Sequence, residues 1–178
     1  MNTDEPASGG KSFSTALLIV ISLAVVVTIL IRQQTFPQVP MQPIPAPRIQ
    51  ADGWLNGPGP TMEELKGKVI VVDAWAYWCV PCRRAAPEMV SLFEKYQDRV
   101  TFIGLTSEGV DADSENRQFL EATRIKWPNG YGAIQTLTDL NAEFIPQRWV
   151  IDRKYNLIWN ESSRESIESA IERALAEP

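Results

Sequence analysis

The chain has no histidine and only two cysteines in 178 residues, and these shortages remove several chemistries at once. Without imidazole there is no Cys-His nucleophile pair, no His-ligated zinc and no His-ligated haem, and two thiolates cannot close a four-ligand structural zinc site. Basic charge is also scarce. The 17 Lys and Arg against 22 Asp and Glu leave a net charge of -5, which argues against a broad nucleic-acid surface. No internal repeat is visible. Length and a hydrophobic content of 44% suit one globular domain with an appendage.

The appendage comes first. After a polar segment, 1–12, residues 13–31 run uncharged and rich in Leu, Ile and Val, nearly enough helix for a ~30 Å hydrocarbon core. This reads as a transmembrane anchor. A cleavable signal peptide is the competing reading, but Ile29-Leu30-Ile31-Arg32 lacks the small residues of a cleavage site. Lys11 before the segment against Arg32 and Arg48 after it leaves the charge rule for orientation nearly silent. The C-terminal domain is placed outside the cytoplasm because a tethered dithiol is most useful where disulfides persist. Between residues 32 and 52, Pro37, Pro40, Pro43, Pro45 and Pro47 are dense enough to forbid helix and ladder pairing and predict an extended linker.

The globular domain is expected over residues 53–178. Thr61 and Glu64 form a capping box for a short helical turn that stops at Gly67, and Lys68 to Ala74 reads as a strand buried on both faces. A helix follows from Val80 to Tyr96 with Ala86, Met89, Val90 and Phe93 inward and Pro87 as a kink. Val100 to Leu105 is the next strand, and Ser114 to Thr123 a helix turning Phe119 and Leu120 inward. A Trp127-to-Gly130 turn and a short helix near Thr136 to Glu143 come next. Arg148 to Ile151 and Leu157 to Trp159 read as a hairpin. The last helix is expected from Ser162, boxed by Glu165, with Ile167, Ala170, Ile171, Ala174 and Leu175 as its stripe.

Both cysteines lie in Trp78-Cys79-Val80-Pro81-Cys82, where the buried strand gives way to the long helix. A thiol at a helix start faces unpaired N–H groups and the positive end of the macrodipole, so Cys79 is the expected nucleophile. Cys82, one turn deeper, is placed to attack a mixed disulfide on Cys79. Half of a metal site or plain core packing are the other uses of such spacing; no metal and no cofactor are expected here.

The run Val72-Asp73-Ala74-Trp75-Ala76-Tyr77-Trp78-Cys79-Val80-Pro81-Cys82 resembles the active-site signature of the thioredoxin superfamily, in particular its membrane-anchored TlpA/ResA-like branch. The resemblance implies an α/β fold, a thioredoxin-like central sheet flanked by helices, here preceded by one transmembrane helix. Pro87 matches the family's helix-kinking proline and Ile145-Pro146 its cis-proline. That bond, with Trp78, implies an edge on which an extended substrate segment pairs. An ordinary trans loop proline is the bland alternative. Asp73 matches the family's buried aspartate, which implies a proton acceptor for Cys82 whose pKa burial raises; a solvated carboxylate at a frayed strand end is the other reading.

The chain departs from the branch at several positions. Ala85 stands where the branch has Glu and Asp73 where it has Asn. Phe144 replaces a glycine, and Gln147-Arg148 replace small hydroxyl residues, so the groove is expected to be bulkier and more basic. Tyr155 occupies a common turn-glycine position, with Asn156 available for a positive φ. Arg83 and Arg84 are either thiolate partners or plain solvated charges.

Together these features predict a membrane-tethered thiol:disulfide oxidoreductase that reduces disulfides in extracytoplasmic proteins, cytochrome c maturation being the setting the resemblance implies. Its expected location is the inner cell membrane. Its expected partners are disulfide-containing proteins and a transmembrane electron donor, since no further cysteine here relays electrons. The same dithiol run as an oxidase or isomerase, and a non-catalytic binding module, are the alternatives; a thiol peroxidase fits less well because only a tyrosine precedes the cysteine with a hydroxyl.

Overall fold

The computed structural model describes residues 18–27 and 42–177. Residues 18–27 form a helix, α1; the rest of the expected 13–31 anchor lies outside the described residues, as do the 1–12 segment and most of the linker. Among the described residues no helix is long and apolar enough to cross a membrane.

The domain is built on a seven-stranded mixed sheet with spatial order β1-β7-β6-β3-β4-β5-β2. Its strands are β1 (Ile44–Pro45), β2 (Gly53–Leu55), β3 (Val69–Ala74), β4 (Val100–Leu105), β5 (Asn129–Tyr131), β6 (Gln147–Ile151) and β7 (Asn156–Asn160). Between them run α2 (Met62–Leu65), α3 (Val80–Tyr96), α4 (Asp113–Thr123), α5 (Ile134–Asp139) and α6 (Ile167–Ala176). All six residues of β3 are buried, which is what a continuous β-branched run allows in a strand covered on both faces. It pairs parallel with β4 and antiparallel with β6. Side chains alternate across the strand. Val69 and Val71 join a core with α3, α4 and α6, while Ile70, Val72 and Ala74 face a second core with Leu65, Leu140 and Trp149.

Several expectations are met residue for residue. Thr61 caps α2 in a reciprocal box with Glu64, and Gly67 takes φ +72° where the chain turns into β3. The bounds of α3 and β4 coincide with those read from the sequence, and Pro87 sits inside α3.

Others are corrected. The expected Trp127-to-Gly130 turn ends in β5, because Asn129 and Gly130 pair with β4 on one side and β2 on the other. The short helix spans Ile134–Asp139, ahead of the expected Thr136 start. Helix α6 begins at Ile167: Ser162 and Ser163 are engaged with Asn160 in the turn after β7, Glu165 pairs with Arg173, and Ser166 supplies the cap to Ser169 N. The prolines do not forbid ladder pairing, since Ile44 and Pro45 pair with Leu157 and Asn156 at the outer edge of the sheet, where a missing N–H is tolerated. From Ile44 onward the proline-rich segment is laid on the domain. Ile49 is buried, and Gln50 exchanges hydrogen bonds with the Thr136 hydroxyl. Tyr155, not Asn156, takes the positive φ, at +63°, and its hydroxyl donates to Pro47 O at 3.1 Å.

Candidate active site

The chain leaves β3 at Ala74 and starts α3 at Val80, and this crossing places the dithiol. Trp75 is clamped first: its ring stacks on Phe119 of α4 at 4.6 Å, and its indole N–H donates to Asn129 Oδ1 at 2.9 Å. Asn129 is itself held by Trp127 O, and it fills the space beside Gly104, where any Cβ would overlap its carboxamide. Sequence reasoning missed this role of Asn129 because a Trp-Pro-Asn-Gly string reads as a turn.

Cys79 is the N-cap of α3. Its sulfur accepts a hydrogen bond from Cys82 N at 3.0 Å, and Pro81 sits in the first turn, where an N–H would lack a helical partner anyway. Both cysteines are buried and joined in a disulfide, so the site is in its oxidised form. The Cys82 amide directed at Cys79 Sγ, at the positive end of the helix, favours a thiolate there once the bond is reduced. The flanking Trp78 and Val80 are exposed, Trp78 by 60%, and Trp78 is held in place through its indole N–H on Glu108 Oε1 at 2.9 Å.

The Ile145-Pro146 peptide is cis. Gln147, buried at the start of β6, turns its carbonyl oxygen back to accept from Glu143 N at 3.0 Å, which fixes the loop before the proline. Between this loop, Trp78 and α5 lies a groove of about 390 Å³ lined chiefly by Trp78, Ile134, Leu137, Phe144 and Ile145. The expected bulk of Phe144 is present. The expected basic character is not: Arg148 is engaged with Glu161 and Glu88, and the charged side chains at the groove are Glu143 in its wall and Glu108 on Trp78. The alternation of β6 explains the correction, for Gln147, Trp149 and Ile151 share one face and Arg148 and Val150 the other.

Asp73 is 6% exposed and shares the dithiol face of β3 with Val69 and Val71. Its carboxyl forms no hydrogen bond among the described residues. Burial pushes it up to about 7, with Arg148 pulling it down and Glu161 pushing it up. The frayed-end reading is excluded by this burial, in the fifth residue of a six-residue strand. Arg83 lies over the Phe119 ring at 5.4 Å, a packing role on α4. No group of three or more His, Cys, Asp or Glu suited to a metal occurs among the described residues.

The structure thus brings together Cys79 and Cys82 directly, and Trp78 with Ile145 along one groove, whose lining does not include Pro146. Comparison with known proteins agrees with this arrangement. Residues 62–122 match the thioredoxin family model. The chain is 45% identical over 49 residues to protein DipZ of Mycobacterium tuberculosis, covering 26% of this chain and 7% of that one. It is 26% identical over 127 residues to the thiol-disulfide oxidoreductase ResA of Bacillus cereus, covering 67% and 70%. The chain spans less than two thirds of several other curated relatives, 59% of YneN of Bacillus subtilis among them. Among solved structures, a thioredoxin-like superfamily protein superposes with TM-score 0.63 at 26% identity over 76% of this chain and 98% of that one. A thiol-disulfide isomerase from Corynebacterium glutamicum, at 21% identity, gives 0.64 over 75% and 97%, a likeness of fold.

Proposed function

We propose that this chain, whose residues 62–122 lie in a thioredoxin domain, is a protein thiol:disulfide oxidoreductase that works as a reductase on extracytoplasmic proteins, held at the inner cell membrane by residues 13–31. The observation that carries the reading is the Cys79–Cys82 pair at the N-terminus of α3, on the face of the sheet that holds a buried acid titrating near neutrality.

In the reduced protein the Cys79 thiolate attacks one sulfur of a substrate disulfide. That S–S bond breaks, its other sulfur leaves as a thiolate and takes a proton from water, and a mixed disulfide forms on Cys79. The Cys82 thiol then gives its proton to the Asp73 carboxylate and attacks Cys79 Sγ. The mixed disulfide breaks, the second substrate thiolate leaves and takes a proton from water, Asp73 returns its proton to solvent, and the Cys79–Cys82 disulfide forms. Two electrons and two protons have passed to the substrate, and the protein rests in the form the structure holds. An acceptor with a pKa of about 7 is matched to that proton transfer near neutral pH, better than an ordinary carboxylate. Trp78, Ile145 and Pro146 would seat the extended substrate segment. A transmembrane electron donor would restore the dithiol, and immature c-type cytochromes are the substrates that the resemblance of the active-site signature implies.

Trapping tests the reading. Cys82→Ser removes resolution, so Cys79 should accumulate mixed disulfides with its native partners, which mass spectrometry identifies. Exported proteins with reducible cysteine pairs are the expected catch. Partners that leave the protein newly oxidised reverse the direction to that of an oxidase, and an empty trap with Cys79→Ser fully functional in cells leaves a binding module.

A further inference from the structure

We propose that Arg148, held by Glu161, is a positioning residue that sets the proton affinity of Asp73, so that the three side chains form one charge device beneath the dithiol helix. The proposal rests on the reading of Asp73 as the acceptor of the Cys82 proton.

The register makes the first connection. Asp73 and Arg148 are direct cross-strand partners in β3 and β6, so their side chains leave the sheet on the same face and at neighbouring points. A buried acid beside an arginine ordinarily forms an ion pair, which would keep Asp73 ionised through the whole working range and unable to titrate near neutrality. That pair is absent. The Arg148 Nε is bonded to Glu161 just beyond β7, and its Nη1 donates to Glu88 of α3 at 3.0 Å and approaches Met89 Sδ at 3.7 Å. The guanidinium therefore stands close to Asp73 as a charge while its Nε and Nη1 are engaged by other partners.

The surroundings leave this device little competition. From β4, Asp73 faces Gly104, which has no side chain. From α3 come the two cysteines and, through Arg148, Glu88. Helix α6 also packs on this face, but Glu168 and Glu172 are committed to Lys95 and Tyr96, and Arg173 to Glu165. Arg148 and Glu161 are 13% and 22% exposed in their side chains, so their fields are poorly screened by salt. Glu161 does two things: it offsets the cost of burying the guanidinium and it keeps that guanidinium from pairing with Asp73.

The device has a signature that packing alone does not have, because its two members act with opposite sign. Arg148→Met removes a cation and should raise the Asp73 pKa. Glu161→Gln removes an anion, frees the guanidinium, and should lower it. Arg148→Lys keeps the charge and should stay near the parent. Each is read by carbon-13 NMR of the labelled Asp73 carboxyl in the full-length oxidised protein, in parallel with the pH profile of mixed-disulfide resolution. The expected result is a shift of about one pH unit or more in each direction, matched by the same displacement of the resolution profile. Shifts of one sign, or an unmoved titration, overturn the proposal. Should Arg148→Met fail to fold, Glu161→Gln and Arg148→Lys decide alone, a downward shift against none being required. If the parent protein's resolution profile ignores the measured Asp73 titration, the acceptor reading fails instead, and that outcome is distinct.

Discussion

The two faces of the central sheet are cut from the same strands and do opposite things. On one, Ile70, Val72 and Ala74 of β3 meet Trp149 and Ile151 of β6 in an apolar cluster, with the buried Gln147 at its end. On the other, Val69 and Val71 are followed by Asp73, β6 offers Arg148, and the covering helix brings two sulfurs. Because side chains alternate, one residue in a six-residue strand gives a face its chemistry without disturbing its neighbour. The dithiol face accepts a destabilising buried acid and a partly buried cation as the cost of function.

The comparison breaks most sharply at Trp149. Trp149→Ala empties a fully buried site and should lower unfolding free energy by about 3–5 kcal/mol in urea titrations. The indole N–H has no partner, so the loss should fall toward the lower end. Its side chain points away from Asp73, and the pH dependence of stability should keep its shape. A change in that shape would show that the two faces are not independent.

Asp73→Asn makes the faces more alike. In the folded protein the carboxyl titrates at about 7 against 3.8 as a free group, so it favours the fold while protonated. That contribution is whole below about pH 4 and is lost as pH rises through about 7. The variant should therefore match the parent in acid and exceed it above neutrality, by at most about 4 kcal/mol at ~1.4 kcal/mol per pH unit. Equal stability at pH 8 would mean that the acid is solvated. Resolution of the mixed disulfide should slow in the same variant and lose its dependence on pH near 7.

Phe144→Gly tests the mouth of the dithiol face. Half of this ring is exposed in the free protein, and its burial against a bound polypeptide is worth about 1 kcal/mol. Reduction of a protein disulfide should lose roughly fivefold in kcat/KM at that energy, while a small aromatic disulfide that does not reach the groove should be reduced at the parent rate.

Much of this contrast was legible in the sequence, and its gaps have physical reasons. The β3–α3 unit was readable to within one residue, Lys68 falling just outside the strand, because local signals agree there: a β-branched run, a capping thiol, an early proline and a stripe at helical spacing. Asp73 announced itself as an acid inside that run. Asn129, Glu108 and Glu161 gave no signal, since each acts on a residue 13 to 54 positions away. That distance closes only through sheet pairing and loop packing. Arg148 was noticed and assigned to the groove; counting alternation from the buried Trp149 would have turned it beneath α3. Strands β1, β2 and β5 are two or three residues long and exist only as partners of other strands.

The smallest effect is expected where the apolar face meets the proline-rich segment. Tyr155 holds that segment twice: its hydroxyl donates to Pro47 O, and its carbonyl accepts from Ala46 N at 3.0 Å. It does so from φ +63°, a conformation that favours glycine, so side-chain contacts must offset backbone strain. Tyr155→Phe keeps the ring and removes only the hydroxyl bond, which sets a loss of about 1 kcal/mol. Tyr155→Gly relieves the strain but removes the ring as well, and should be less stable than Tyr155→Phe because the ring packs against the apolar core. Amide exchange at Ala46 and Gln50 should quicken in both variants, and disulfide reduction should be unchanged. If Tyr155→Gly is the more stable of the two, the conformation rather than the anchoring is what this position limits, and residues 44–50 are held by β7 and α5 alone.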